Sequence, residues 1–326
     1  IKSAHCSNNF LEIQEEALAD LDEYLTAKGS RLCRFYGTPY KVIKYLNEEY
    51  HPDAVIFNAD YSYYSVERDS LIEKVCKCEI YHDVTIYHPE FIKSNFHKAY
   101  GSFVKAIASG DFNVHKNGLS NYDKKRFKLE VCNYKRTLDI YNSKLYSRKE
   151  ALKKIKNPDC EGKGYGISAH LKLGLISTRE IFKYAINQGR KYLMKQLLWR
   201  EFYFSSWLAH KNNYSFYDLR FANIKWRNDR REMKAMWTGR TGFPLIDSAI
   251  NELNKTGFMR NRGRLLVGFF SIKILHINPF FYNLENKEGW YCGGQQYFSS
   301  KLIDCCYANN TGNWHWAASD ELDASG

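Results

Sequence analysis

The stretch from residue 237 to residue 316 constrains this chain more than any other. It opens W-T-G-R-T-G-F-P-L-I-D-S-A-I-N-E-L-N-K-T-G-F-M-R-N-R-G-R and closes L-I-D-C-C-Y-A-N-N-T-G-N-W-H-W. The opening reads as one helix. Pro244 suits a first turn, where its missing N–H would have no partner anyway. Leu245, Ile246, Ala249, Ile250 and Leu253 recur at helical spacing on one face, and Gly257 is a C-terminal stop. Arg260, Arg262 and Arg264, set around Asn261, then lead into residues 265–270, apolar all round and therefore expected to be a buried helix. Such a turn places guanidinium groups at the edge of a core. Charge patterning alone makes it a solvated helix end as readily as an anion site. The carboxylate, amide and indole groups of the second block (Asp304, Asn310, Trp314, Trp316) favour the anion site.

The length allows two domains and a sizeable core. Lys and Arg outnumber Asp and Glu 48 to 36, and aromatic residues make up 16%. Basic groups displace phosphate counterions and rings stack on bases, so this balance suits a nucleic-acid binder. The 9 cysteines form no C-x-x-C pair and no zinc-type spacing, so reduced thiols in an intracellular protein and no metal are expected. No apolar run reaches membrane-spanning length and no signal peptide is visible, so neither a membrane nor secretion is expected. The chain starts at Ile1, which reads as a fragment, a processed form or a split gene.

Residues 11–109 alternate between helix and strand signals. Leu11, Leu18, Leu21 and Leu25 mark a first amphipathic helix. Residues 31–36 read as a short strand, followed by a turn and a helix through Leu46. Residues 54–58, A-V-I-F-N, read as a strand of the buried parallel kind. A helix over 64–76 and extended structure at 79–81 and 84–86 complete a βαβ rhythm. Neither G-x-G-x-x-G nor G-x-x-x-x-G-K-[ST] is present. Residues 110–163 turn to Lys, Asn, Tyr and Ser, as an interdomain connector would. From Gly164 the chain reads as helical, and Ser177 with Glu180 has capping-box spacing.

The two blocks of residues 237–316 resemble the flavin-binding core of the photolyase/cryptochrome family. Its pattern runs T-G-[YF]-P-x-[IV]-D-x-A, T-G-[WF]-x-x-N-R-x-R and L-[IL]-D-x-D-x-x-x-N-x-G-x-W-x-W in this order, and weaker detail extends over most of the chain. The resemblance implies an α/β domain over 1–109 with an incomplete, doubly wound parallel sheet. A connector over 110–163 and an all-α FAD-binding domain over 164–326, lacking its last helices, would follow. Segment 164–177 is similar to the family's T-S-x-L-S-P-x-L-x-x-G-x-[LI]-S, where backbone N–H groups at helix starts meet phosphate. Gly164 and Tyr165 stand in place of Thr-Ser, and Ser168 remains. Residues 57–61 with Arg68 and Asp69 resemble the antenna-binding strand and helix. The domain's first strand and helix have no counterpart after Ile1, which leaves the antenna, folate or deazaflavin, an open expectation.

The same resemblance assigns roles to side chains. Arg200, Arg264, Asp304, Cys306 and Asn310 would join Ser168 around the flavin. Arg264 and Asp304 would pair beside its ring, and Asn310 would face N5. Cys306 stands where the family has a second aspartate. Trp226, Trp290 and Trp314 would relay electrons, with Tyr291 an alternative in the middle place. Trp199 and Trp316 would sandwich a damaged base pair, with Gln196, Asn261, Arg262 and Leu265 around it. Gln196 is similar to (6-4) photolyases and animal cryptochromes, whereas F-M-x-N-R-G-R is similar to DASH-type cryptochromes, so the lesion type stays open. The implied function is that of a monomeric deoxyribodipyrimidine photolyase, a lyase that repairs UV-induced pyrimidine dimers in DNA by light-driven electron transfer. A second chain supplying the missing segments is a further expectation. The alternative is a cryptochrome-like blue-light photoreceptor or a non-catalytic DNA-binding homologue.

Overall fold

A computed structural model describes residues 7–110, 152–153, 156, 166–210, 224–283 and 289–318. Most of the expected connector, together with Gly164 and Tyr165, lies outside the described residues. In chain order the first elements are α1 (Asn8–Ala27), α2 (Pro39–Tyr50), β1 (Val55–Asn58), α3 (Tyr63–Glu73) and β2 (Cys78–Tyr81). The strands pair in parallel, Val55 opposite Cys78 through Asn58 opposite Tyr81, and α3 crosses between them. This is one βαβ unit, and its sheet has two strands among the described residues.

Three expectations for this half are corrected. Residues 31–36 form no strand. No strand among the described residues pairs with them, and the Leu32 N–H is bonded instead to the Asp22 carboxylate at 2.7 Å. Strand β1 is not buried on both faces: Ile56 is 64% exposed, because only alternate residues of so small a sheet are covered. Helix α1 is capped by Ser7 as a helix should be, but its buried residues are Asn9, Ile13 and Ala17 rather than the leucine face, and Leu21 is 40% exposed. Its seat lies on the helical half. Ile13 packs with Ala169 and Ile303, Ser7 Oγ donates to Lys301 O at 3.1 Å, and Asn9 Nδ2 donates to Lys255 O at 3.4 Å.

The helices that follow are α4 (Pro89–Ser94), α5 (Tyr100–Ile107), α6 (Ser168–Lys172), α7 (Thr178–Asn187), α8 (Lys191–Ala209), α9 (Arg230–Trp237), α10 (Pro244–Thr256) and α11 (Asn261–Phe269). A π-helical turn, Phe270–Ile274, prolongs α11, and α12 (Gly294–Lys301) and α13 (Tyr307–Ala318) complete the described part. Ser177 caps α7 by accepting from Glu180 N, as its spacing requires. Helix α10 begins at Pro244 and stops at Gly257, whose φ of 70° is the left-handed region. Ile246, Ile250 and Leu253 are buried, but Leu245 is 71% exposed, one step off the buried stripe. Helix α11 is buried at Val267 and Gly268 only, and Leu266 is 46% exposed, so the apolar run has a solvent side.

Two large cores result. One gathers Ile86, Ile92, Phe103 and Ile107 with Phe182, Leu197, Phe202 and Trp207, so α4 and α5 share a core with α7 and α8. The other surrounds Trp237, Ile250, Val267 and Trp314. Helix α8 is buried at every position from 201 to 208. Helix α13 approaches it closely: a Cβ on Gly312 would overlap the Tyr203 ring.

In the segment after β2, residues 82–88, extended structure is expected at 84–86. The segment forms no strand, because side chains of α7 and α8 take its backbone groups. Glu201 accepts from Ile86 N and Tyr87 N, both at 3.0 Å. Arg179 donates to Ile86 O at 2.9 Å and to His82 O. Thr178 and Arg200 donate to Val84 O at 3.3 and 2.5 Å, and Ser177 donates to Asp83 at 2.9 Å. Glu201 has no exposed surface. Desolvation pushes its pKa up to about 7, against the pull of the two N–H bonds and of the Arg200 and Arg179 charges.

Candidate functional site

One cleft lies between α11 and α13, closed at one side by α12 and the turn after it. Its walls include Asn261, Arg264, Leu265, Gly268, Asp304, Cys306, Asn309, Asn310, Asn313 and Trp314, and it is partly open to solvent. Gly257 ends α10 so that the chain turns directly into 258–260 and then α11, which aims Arg264 across the cleft. Arg264 Nη2 meets both oxygens of Asp304, at 3.0 and 2.8 Å, and its Nε donates to Met259 O at 2.8 Å. The Asp304 side chain is 4% exposed and that of Arg264 27%. The pair is therefore fixed at both ends, with part of the guanidinium left towards open space.

Asn310 is buried one helical turn into α13. Its Nδ2 donates to Gln295 O and to Ser299 Oγ, each at 2.9 Å, and its Oδ1 accepts from Trp314 Nε1 at 3.1 Å. An amide has two donor hydrogens and two acceptor lone pairs. Both donors are engaged within the protein, so Asn310 retains one lone pair for anything in the cleft. Asn309 Oδ1 is buried and has no hydrogen-bond partner among the described residues. Burial pushes the Cys305 thiol up to about 12, which keeps it protonated at neutral pH. Trp314 is 2% exposed and meets Phe298 edge-on at 5.0 Å. Its ring fits because position 294 is glycine: a Cβ there would fall within the indole.

The structure sorts the expected site residues into groups. Asn261, Arg264, Leu265, Asp304, Cys306, Asn310 and Trp314 meet at the cleft. Arg262 is exposed on the first turn of α11. Trp316 is half-buried, edge-on to Phe269 at 5.5 Å. Ser168 is exposed at the start of α6. Arg200 reaches Val84 O and lies over the Phe204 ring at 4.8 Å. Gln196 is exposed on α8, and Trp199, one turn on, stacks against Tyr100. Trp226 and Trp290 border the second core. Arg230 lies 5.6 Å from the Trp290 ring and 4.1 Å from that of Tyr291. Sequence reasoning missed Asn309 and Asn313 as cleft residues. Their signal was the i, i+4 spacing that puts both on one face of a helix with the cleft.

Residues 192–326 match the family model described as the FAD binding domain of DNA photolyase, and residues 3–111 match that of DNA photolyase. The chain belongs to the photolyase/cryptochrome family. Among its relatives is a deoxyribodipyrimidine photo-lyase of Buchnera aphidicola, 28% identical over 313 residues, which are 83% of this chain and 63% of that one. Another is a cryptochrome DASH of Gloeobacter violaceus, 38% identical over 169 residues, 49% of this chain and 31% of the relative. This chain thus spans less than two thirds of the length of either of these two relatives. The crystal structure of an archaeal photolyase from Sulfolobus tokodaii with two FAD molecules superposes with a TM-score of 0.78 at 29% identity, over 99% of this chain and 74% of that one. The fold is accordingly the family's, a small α/β part followed by a helical part. No helix among the described residues is long and apolar enough to cross a membrane.

Proposed function

We propose that this chain binds FAD in the α11–α13 cleft and acts on UV-damaged DNA as a photolyase-type lyase. The observation that carries the reading is the Arg264–Asp304 pair, with part of its guanidinium left exposed, in a cleft that Asn310 and Trp314 also line. Unsatisfied buried polar atoms are rare in folded proteins, and Asn309, whose buried Oδ1 has no partner among the described residues, lines the same cleft. The donor set fits a flavin, whose ring edge carries both donors and acceptors. FAD, when bound, would supply light absorption and electron transfer. Arg264 would hold positive charge beside the ring, kept in place by Asp304. Asn310, with one lone pair left, would accept from a protonated ring nitrogen rather than donate to a bare one. Trp314 would stand as the inner member of an electron relay, with Trp290 or Tyr291 in the middle and Trp226 at the outside. Trp199 and Trp316 would stack on the flipped lesion, and Gln196, Asn261, Arg262 and Leu265 would line its entrance.

The two-domain reading goes with this proposal: a doubly wound α/β domain over 1–109, a connector over 110–163 and the FAD-binding domain over 164–326. We read the protein as an intracellular monomer, in keeping with cysteines that are free thiols among the described residues. The cryptochrome DASH relative favours a second reading as a blue-light photoreceptor. The purified chain is expected to carry a flavin absorption spectrum and, under blue light with a reductant, to remove cyclobutane dimers from an oligonucleotide. A colourless protein that takes up no added FAD would overturn the first reading; flavin without repair of either dimer or (6-4) lesion would favour the second.

A further inference from the structure

Trp199 does not stand alone on α8. The Tyr100 ring of α5 lies flat against it, centroids 3.7 Å apart and planes within 6°. Phe202 meets the edges of both, 5.7 Å from Trp199 at 86° and 5.8 Å from Tyr100 at 90°. Phe103 backs Phe202 at 5.6 Å. Two neutral rings left to themselves prefer an offset or edge-on arrangement over full overlap. Here the two helices impose the overlap, since both rings are set on packed α-helices and Phe202 blocks a sideways slide. Tyr100 is half-buried, and burial pushes its hydroxyl up to about 12, so it stays a neutral ring at any working pH. Trp199 keeps part of its surface open beside Gln196, one turn earlier on the same face.

We infer that Tyr100 is a positioning residue for stacking on Trp199: it backs one face of the indole, so that the other is presented at a fixed angle to an unstacked base. The inference rests on the proposed function, which supplies the base. A stacking platform is useful in proportion to its rigidity, because the side chain then loses little freedom when the base arrives. Trp199 alone, held only by its own helix neighbours Phe202 and Tyr203, could turn about its side-chain bonds. With Tyr100 against it, it cannot turn without breaking the overlap.

The test is binding of the full 326-residue chain to a labelled oligonucleotide carrying one cyclobutane thymine dimer, set against the undamaged oligonucleotide. Tyr100→Phe keeps the ring and is expected to stay within about twofold of the unaltered chain. Tyr100→Leu removes it and is expected to lose about fivefold in preference for the damaged strand, the lower end of what one base–aromatic stack contributes. Binding to undamaged DNA should not move, which a general loss of structure would not reproduce. If Tyr100→Leu fails to fold, Tyr100→Met, closer in length and flexible enough to fill the gap, is expected to show the same loss. An unchanged preference in the folded Leu or Met variant would overturn the inference. A raised preference would also overturn it, because Tyr100 would then be a lid that the base has to displace. If the unaltered chain shows no preference, and Trp199→Ala changes nothing, the proposed function itself falls and this inference with it.

Discussion

The clamp on residues 82–88 and the α11–α13 cleft are both built from charged and amide side chains in a largely buried setting, yet they end differently. In the clamp, the Glu201 and Arg179 side chains end on backbone groups of the same short segment. In the cleft, the Arg264–Asp304 pair is complete, but part of the guanidinium stays exposed and the buried Asn309 Oδ1 has no partner among the described residues. Closed polar networks hold a fold together, while open ones wait for a ligand. The first network joins the βαβ half to the helical half. On the proposed reading, the second serves binding at some cost to the empty protein.

The largest effect should come from opening the closed network. Arg179→Ala removes two backbone bonds and a counter-charge from the buried Glu201, and is expected to destabilise by about 3–5 kcal/mol, as breaking a buried charge arrangement does. Urea denaturation measures this, with flavin content per folded molecule expected to hold. Next in size, Asp304→Asn removes a charged partner of Arg264, an interaction of about 1.5–3 kcal/mol. Its expected signature is reversed: FAD affinity falls about tenfold or more while stability of the flavin-free protein changes less. If both variants lose stability and flavin equally, the contrast between the regions fails.

Gly312→Ala should be similar in magnitude or smaller, about 1–3 kcal/mol of overpacking against Tyr203, read as a lower melting temperature. The closed network also predicts a pH dependence. Glu201 has its pKa raised from 4.5 to about 7 in the folded chain. The folded state therefore binds the proton more tightly than the unfolded one. Its contribution is at its most favourable below the unfolded value and is lost as pH rises to about 7. Glu201→Gln should flatten that part of the stability profile, and a profile identical to that of the unaltered chain would refute the assignment. Leu245→Lys, on the exposed side of α10, should stay within about 0.5 kcal/mol in the same denaturation assay.

What the sequence made legible was local. Pro244 and Gly257 bound α10, and Ser177 with Glu180 starts α7, because caps and stops act over a few residues. The cleft residues on α11 and α13 were legible as well, since their motifs lie within short stretches whose order matches the family. What stayed hidden depends on partners far along the chain. The leucine face of α1 is a better helical stripe than the one it buries, but the seat for Ile13 is made by Ala169 and Ile303. Arg200 is expected around the flavin, and its bond to Val84 O, 116 positions away, could not be read from its own neighbourhood. The backing of Trp199 comes from Tyr100, with nothing in either neighbourhood to announce it.

Helix α1 has a further consequence for how the chain reaches this state. Its cap hydroxyl bonds a carbonyl 294 positions away, and the amide of Asn9 one 246 positions away. A ribosome would release this segment long before its docking surface. Until then Ile13 has nowhere to go, and α1 can be no more than a lone amphipathic helix, marginal in water by itself. Helix α1 would thus be a late arrival in folding, buried only after the surface that seats it has formed.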